Sequence, residues 1–172
     1  MRRDDVLAYP DQIGDALWRV EAAGVPRGPV KVCGVAYGAG DVAQLIIADR
    51  GASGDEIVLC ASYSGDDAEA LRCFEEGGSR VAVCTNGALA TRARAEGVPI
   101  VGVPGAFDDP RAAIVYFTVA AVVCAAPQLR TELEAAVPAL SRLAEGEQVE
   151  LETPSEQALG EVLRRDLAAA NR

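Results

Sequence analysis

Two serines, Ser62 and Ser64, stand where an apolar strand-like run changes to a helix-like pattern. Their hydroxyls, with the backbone N–H groups that follow Gly65 at the helix start, are typical of a phosphate-binding loop. The next two residues are Asp66 and Asp67, and their carboxylates repel an anion. The stretch therefore predicts either an anion site or a loop in which carboxylates have taken the anion's place.

A helix cap without any ligand explains the same residues. Ser64 with Asp67 three residues later fits a capping box, and Asp66 with Glu69 fits a second register of the same device. Carboxylates in the first helical turn stabilise a helix by about 0.3–1 kcal/mol each. Both interpretations remain open from the sequence alone.

Two other strand-to-helix loops carry polar or glycine residues. The first runs from Gly34 through Tyr37 and Gly38 to Asp41, and it lacks the third glycine of a dinucleotide fingerprint. It fits a tight turn as well as a ligand contact. Another loop contains Thr85, which offers a hydroxyl but also suits a turn and cap.

Arg111 follows Pro110 at the predicted start of a long apolar helix, where a cation is unfavourable with the helix dipole. A guanidinium there can clamp a phosphate or a sugar oxygen with two hydrogen bonds. It can equally pair with Asp108 or Asp109. The two roles have equal support from the sequence.

The chain has no histidine, which removes Ser–His and Cys–His nucleophilic pairs and histidine metal sites. Acid–base chemistry is left to Asp, Glu, Cys, Tyr or Lys31, and no catalytic residue can be assigned. Glu75, Glu76 and the stretch 145–152 are candidates without a motif. Lys31 precedes the glycines, so there is no P-loop, and we expect no cofactor. Asp41, Asp66 and Asp67 could attract Mg²⁺, but their spacing does not require it, and we expect no metal.

Charge and composition exclude several partners. The net charge is −10, which makes nucleic acid and anionic membranes poor partners. The longest apolar run, 112–126, is shorter than the roughly 20 residues of a membrane span. Five cysteines without a C-x-x-C pair, and no N-terminal apolar segment, favour buried thiols in the cytoplasm over a disulfide framework.

The pattern of elements predicts an α/β fold. Strands are predicted at 30–35, 57–61, 80–84 and 99–103, and helices at 11–23, 41–48, 67–76, 88–95, 110–126, 128–143 and 154–170. Short apolar strands that alternate with helices indicate a parallel sheet of about four strands with helices on both faces, joined by right-handed connections, and a helical C-terminus. Ligands bind such sheets at the carboxyl ends of the strands.

Several stretches together resemble the sugar isomerase (SIS) domain, above all the N-terminal half of bifunctional phosphoglucose/phosphomannose isomerases. They are "YPDQI" (9–13), "KVCGVAYGAGD" (31–41), "VLCASYSGDDAEAL" (58–71), "RVAVCTNGALATRARAEGVPIVGVPG" (80–105) and "PRAAIVYF" (110–117). The resemblance implies a flavodoxin-like three-layer αβα sandwich that binds a sugar phosphate. It places one SIS-like domain at 1–145 and a C-terminal linker and helix at 146–172.

The resemblance also implies which residues contact the ligand. Ser62 and Ser64 would hold the phosphate, and Arg111 would face the sugar near the oxygens that form an enediolate. The full expected set is Gly34, Tyr37, Gly38, Ser62, Ser64, Asp67, Thr85 and Arg111. In the family a threonine stands at the position of Asp67, and the catalytic glutamate and histidine lie in a second SIS domain.

These departures leave two functions. One is an aldose–ketose sugar-phosphate isomerase or a remnant of one. The other is a non-catalytic or repurposed SIS module, acting as a partner subunit or on a non-phosphorylated ligand. The run 112–126 has no polar face, so the C-terminal helices or a second subunit must cover it, and we expect a homodimer.

Overall fold

The protein is an α/β sandwich in a computed structural model that describes residues 1–48, 50 and 54–172. Its four parallel strands, in the order β1-β2-β3-β4, are Val30–Gly34, Ile57–Ala61, Ser79–Cys84 and Ile100–Gly102. The α-helices α1–α8 are Arg3–Leu7, Tyr9–Ala23, Ala39–Ile47, Ala68–Glu75, Gly87–Glu96, Ile114–Ala125, Arg130–Ala144 and Pro154–Ala170. Short 3-10 turns at Pro110–Ala113 and Pro127–Leu129 precede α6 and α7. The predicted α/β fold class is confirmed.

The sheet separates two apolar cores, because successive side chains of a strand point to opposite faces. Leu59, Val81 and Val101 face a large core that includes α2, α3, α6, α7 and α8. Cys60 and Ala82 face a smaller core formed with α4 and α5. Burial of both faces explains why the strands read as continuous apolar runs.

The connections between strands do not all have the same hand. Each connection moves one strand further in the same direction across the sheet. However, α3 packs in the large core, whereas α4 and α5 pack in the small core on the other face. The β1–α3–β2 connection therefore has the opposite hand to the two that follow. The expectation of right-handed connections throughout is wrong.

The apolar helix α6 is covered within the chain. All of its residues except Val123 are buried, and it packs chiefly against α2 and α3. The C-terminal helix α8 packs against α1, α3 and α7. Because the chain's own helices enclose α6, that helix no longer requires a second subunit.

The predicted element bounds are close to those observed, with two differences. Helix α1 was not predicted, since its five residues are too few for a helical period to appear. The long apolar helix begins at Ile114, after the 3-10 turn, and not at Pro110. Trp18 of α2 is 62% exposed. Within the described ranges, no helix is long and apolar enough to cross a membrane.

Two cysteines form a disulfide, which corrects the expectation of buried thiols only. Cys33 of β1 is bonded to Cys73 of α4, with their Cα atoms 6.4 Å apart. The remaining three, Cys60, Cys84 and Cys124, are buried thiols. Burial raises the pKa of Cys60 and Cys84 to about 11 and that of Cys124 to about 12. These three are therefore protonated and unreactive at neutral pH.

Candidate functional site

Two neighbouring cavities lie at the carboxyl ends of the strands and share the side chain of Tyr37. The serine cleft, of about 240 Å³, is lined by Val35, Tyr37, Ser62, Tyr63, Ser64, Asp66, Asp67 and Pro110. The arginine cavity, of about 580 Å³, is lined by Met1, Tyr37, Arg111, Ile114, Arg165, Asp166 and Ala169. Five of the eight predicted ligand residues line one or both cavities; Gly34, Gly38 and Thr85 do not.

Ser62 organises its own loop. Its side chain is buried, and its Oγ accepts hydrogen bonds from the N–H groups of Gly65 at 3.0 Å and Asp67 at 3.2 Å. Those N–H groups are among the donors that a phosphate in this loop would need. Ser62 therefore satisfies the loop's donors from within, as a bound anion would from outside.

Ser64 is the hydroxyl of this loop that faces solvent. Its Oγ accepts the N–H of Asp66 at 3.2 Å, and the residue is exposed in the serine cleft. The hydroxyl hydrogen of Ser64 is free to rotate towards a ligand. Of the two predicted phosphate-binding serines, Ser64 is thus the one accessible to a ligand.

Asp67 caps its own helix. It is the residue before α4, and its Oδ1 accepts the N–H of Ala70 at 2.9 Å. Neither capping register predicted from the sequence is present, because Asp67 takes the position given to Ser64 or Asp66. A carboxylate here occupies a donor at the helix N-terminus and places a negative charge where an anion would bind. Two unit charges 4 Å apart repel by about 4 kcal/mol at an effective dielectric constant of 20.

Asp66 caps a different helix. Its Oδ1 accepts the N–H of Ala88, in the first turn of α5, at 2.9 Å. The carbonyl of Gly65 accepts the next N–H, that of Leu89, at 2.9 Å. Asn86, the residue before α5, makes no cap hydrogen bond with its side chain. The loop after β2 therefore satisfies the first N–H groups of the helix after β3.

The contact between these two loops explains Gly65. A Cβ atom on Gly65 would lie 1.8 Å from the carbonyl oxygen of Asn86, and the residue has φ +85°. Only glycine fits both the contact and the left-handed backbone. Gly65 is therefore a packing requirement of the loop pair.

The first loop contributes Tyr37 to the site, while its two glycines have structural roles. A Cβ on Gly34 would lie 2.4 Å from the carbonyl oxygen of Ala61, so Gly34 allows β1 to approach β2. Gly38 is the residue before α3. Tyr37 is 36% exposed and has φ +51°, the only positive φ of a non-glycine residue in the described part of the chain. That backbone conformation is uncommon for a bulky residue and often marks a functional site.

Thr85 and Tyr63 connect the loops that frame the serine cleft. Thr85 donates its hydroxyl to the carbonyl of Tyr63 at 2.7 Å, so Thr85 has a structural bond where the sequence allowed a ligand contact. The Tyr63 hydroxyl bonds the N–H and the carbonyl of Phe107, each at 3.1 Å. Tyr63 was not predicted as a site residue, because the loops that it connects are far apart in the sequence.

Arg111 is paired with Asp109, one of the two alternatives that the sequence left open. Its Nε lies 3.0 Å from Asp109 Oδ1, and its Nη2 also contacts this carboxylate. The Arg111 side chain holds the pKa of Asp109 well below its usual value. Asp108 pairs instead with Arg2, at 2.7 Å. The guanidinium of Arg111 still lines the arginine cavity.

Arg165 and Asp166 were not predicted, because only the packing of α8 brings them to the strand ends. Asp166 is buried and accepts hydrogen bonds from the Tyr9 hydroxyl at 2.8 Å and from Arg165 Nε at 2.9 Å. Burial and the nearby Asp166 raise the pKa of Tyr9 far above its usual value, so Tyr9 stays a donor. No local sequence signal distinguishes Arg165 from Arg164 beside it.

The glutamates considered as catalytic bases lie away from the site. Glu75 and Glu76 lie at the end of α4 and pair with Arg92 and Arg72, respectively. Because α4 runs antiparallel to the strands, its end lies at the amino ends of the strands, away from the site. The stretch 145–152 precedes α8, and none of its residues lines either cavity. In the described part of the chain, no three Cys, Asp or Glu side chains are grouped so that they could hold a metal ion.

Comparisons with models of protein families, with curated proteins and with solved structures found no match. None of the three comparisons identifies a SIS domain.

Proposed function

We propose that this chain is a SIS-type module that binds a sugar or sugar derivative at the carboxyl ends of its strands and does not isomerise it. The observation that carries the proposal is the side chain of Asp67, which caps α4 in the position expected for the family's phosphate. The serine cleft then receives uncharged hydroxyl groups, for which the exposed Ser64 and Asp66 are suitable partners.

Isomerisation needs a base to move a proton between two carbons and an acid–base group to open the ring. Both carboxylates of the serine cleft accept hydrogen bonds from backbone N–H groups, and the glutamate candidates lie elsewhere. The competing function, an aldose–ketose isomerase, therefore requires a carboxylate from a second subunit.

Two further parts of the proposal concern the chain's setting. We propose that the protein forms a homodimer. Trp18 and Leu45, each 62% exposed, are its candidate contacts. Light scattering that shows a clean monomer would refute it. We also propose that the protein is cytoplasmic. The three buried thiols favour that location, whereas the Cys33–Cys73 disulfide opposes it.

Titration with glucose, monitored by backbone amide chemical shifts, tests the sugar site. We expect the largest shifts at Ser64 and Asp66, and weaker binding in Ser64→Ala because one hydroxyl contact is lost. Shifts spread evenly over the surface would contradict the proposal. A coupled assay of glucose 6-phosphate conversion provides the second arm, and turnover by the purified chain would establish the isomerase instead.

Asp67→Asn is the matched variant for the phosphate. Asparagine keeps an acceptor for the Ala70 N–H but removes the charge, so inorganic phosphate should now shift the amides of residues 62–67. If phosphate leaves these amides unchanged in Asp67→Asn and in Asp67→Thr, charge repulsion does not explain the loss of the family's phosphate site.

A further inference from the structure

We propose that the arginine cavity binds the anionic group, a phosphate or carboxylate, of the ligand whose hydroxyls lie in the serine cleft. This inference rests on the proposed function and adds the ligand's class and its direction in the site. The acidic group would lie at Arg111 and Arg165, on the far side of Tyr37 from the loop in which the family holds its phosphate.

The two arginines are held in place by carboxylates that leave part of each guanidinium open. Nε and Nη2 of Arg111 contact Asp109, and Nε of Arg165 contacts Asp166. Within residues 1–48, 50 and 54–172, Nη1 of Arg111 and both Nη atoms of Arg165 have no hydrogen-bond partner. Arginines fixed in this way lose less side-chain freedom when they bind an anion.

The carboxylate that holds Arg165 is itself held by a residue of the core. Asp166 is buried and receives a second hydrogen bond from the Tyr9 hydroxyl. Both arginine side chains are about three-fifths exposed, Arg111 at 61% and Arg165 at 59%. The carboxylate therefore belongs to the protein interior, while the guanidinium is available to a ligand.

The two cavities differ in charge, because the serine cleft contains carboxylates and the arginine cavity contains guanidinium groups. Among the residues that the structure describes, Asp66 and Asp67 line the serine cleft, and no Lys or Arg does. Arg111 and Arg165 line the arginine cavity together with Asp166, and Asp109 lies beside it, paired with Arg111 and with the Met1 amino group. In a chain of net charge −10, a cavity with two open guanidinium edges is the favoured place for an anion.

Tyr37 places the two cavities within reach of one small molecule. It lines both, and the neighbours Pro110 and Arg111 line one each. The arginine cavity, of about 580 Å³, is large enough for the charged end of a ligand with part of its carbon skeleton. A sugar phosphate or a sugar acid combines the required hydroxyls and charge.

Calorimetric titration of the full chain with inorganic phosphate tests the anion site. The test compares Arg165→Gln and Arg111→Gln with Arg164→Gln, a matched control because Arg164 is exposed on the same helix and does not line the cavity. We expect phosphate binding that weakens about tenfold in each cavity variant, through loss of a charge-assisted contact, and that is unchanged in Arg164→Gln. Absence of phosphate binding, or equal loss in all three variants, would overturn the proposal. Arg165→Lys, which keeps the charge, shows by partial recovery that the loss is electrostatic and not a folding defect.

The failure of this inference can be distinguished from failure of the proposed function. Glucose 6-phosphate that binds more tightly than both glucose and phosphate, with sensitivity to Ser64→Ala and Arg165→Gln, supports both. If phosphate binding depends on the arginines but glucose 6-phosphate binds no more tightly than phosphate, the anion site stands and the sugar site fails. If glucose binds with sensitivity to Ser64→Ala and the arginine variants have no effect, the anion site is wrong and the sugar site stands.

Discussion

The carboxylate of Asp66 accepts a hydrogen bond from the backbone N–H of Ala88 at 2.9 Å, across 22 residues of sequence. Asp66, which precedes α4, thus caps α5, while Asp67 caps α4. The two adjacent carboxylates look redundant in the sequence, but each caps a different helix. The pair therefore stabilises the starts of α4 and α5 and makes the same loop unfavourable for a phosphate.

Replacement of Asp66 tests its cap. We expect Asp66→Ala to lower the free energy of unfolding by about 1 kcal/mol, because the N–H of Ala88 loses its acceptor. Asp66→Asn, which keeps an acceptor oxygen, should lose less. Urea unfolding measures both variants, and equal losses would show that the hydrogen bond does not stabilise α5.

Much of the fold follows from local patterns, whereas the site depends on distant contacts. The strand Ile57–Ala61 was predicted with its observed bounds, because five apolar residues between turn signals suffice to identify it. The role of Asp66 was not, since Ala88 lies on the next helix. Arg165 shows the same limit, because only the packing of α8 against α1 and α3 brings it near Tyr37.

Two glycines with nearly the same φ angle form a matched pair for the loop contact. Gly65 has φ +85° and Gly38 has φ +86°, but a Cβ on Gly65 would lie 1.8 Å from a carbonyl oxygen and one on Gly38 would meet no atom within 4 Å. We expect Gly38→Ala to cost about 1–2 kcal/mol, the cost of the left-handed conformation alone. Gly65→Ala should cost more than about 4 kcal/mol, as large steric effects do. Similar thermal unfolding of the two variants would contradict the contact between the loops.

The pairing of Asp109 predicts a loss of stability in acid. The Arg111 side chain holds the pKa of Asp109 below that of an unfolded aspartate, which is about 3.9. A depressed folded-state pKa stabilises the native chain above the unfolded pKa, and the contribution disappears as pH falls through the folded value. Unfolding in urea, measured from pH 6 to pH 2, should therefore show a smaller acid-dependent loss in Asp109→Asn than in the wild type below about pH 4. Glu147→Gln, in the exposed segment after α7, provides the control and should follow the wild type. Parallel pH curves for wild type and Asp109→Asn would contradict the paired state of Asp109.

The Cys33–Cys73 bond ties the edge strand β1 to α4 across a sequence separation of 40 residues. Closing a loop of that length restricts the unfolded chain, and such bonds stabilise by about 2–4 kcal/mol. Three thiols should react with an aromatic disulfide reagent in the denatured, unreduced protein, namely Cys60, Cys84 and Cys124, and five after reduction. Reduction should lower the midpoint of thermal unfolding in the wild type and leave that of Cys33→Ala/Cys73→Ala unchanged, which separates loss of the bond from other effects of the reductant. Five reactive thiols before reduction would show that the two cysteines are unbonded in the purified protein, and the expectation of a chain with buried thiols only would then be restored.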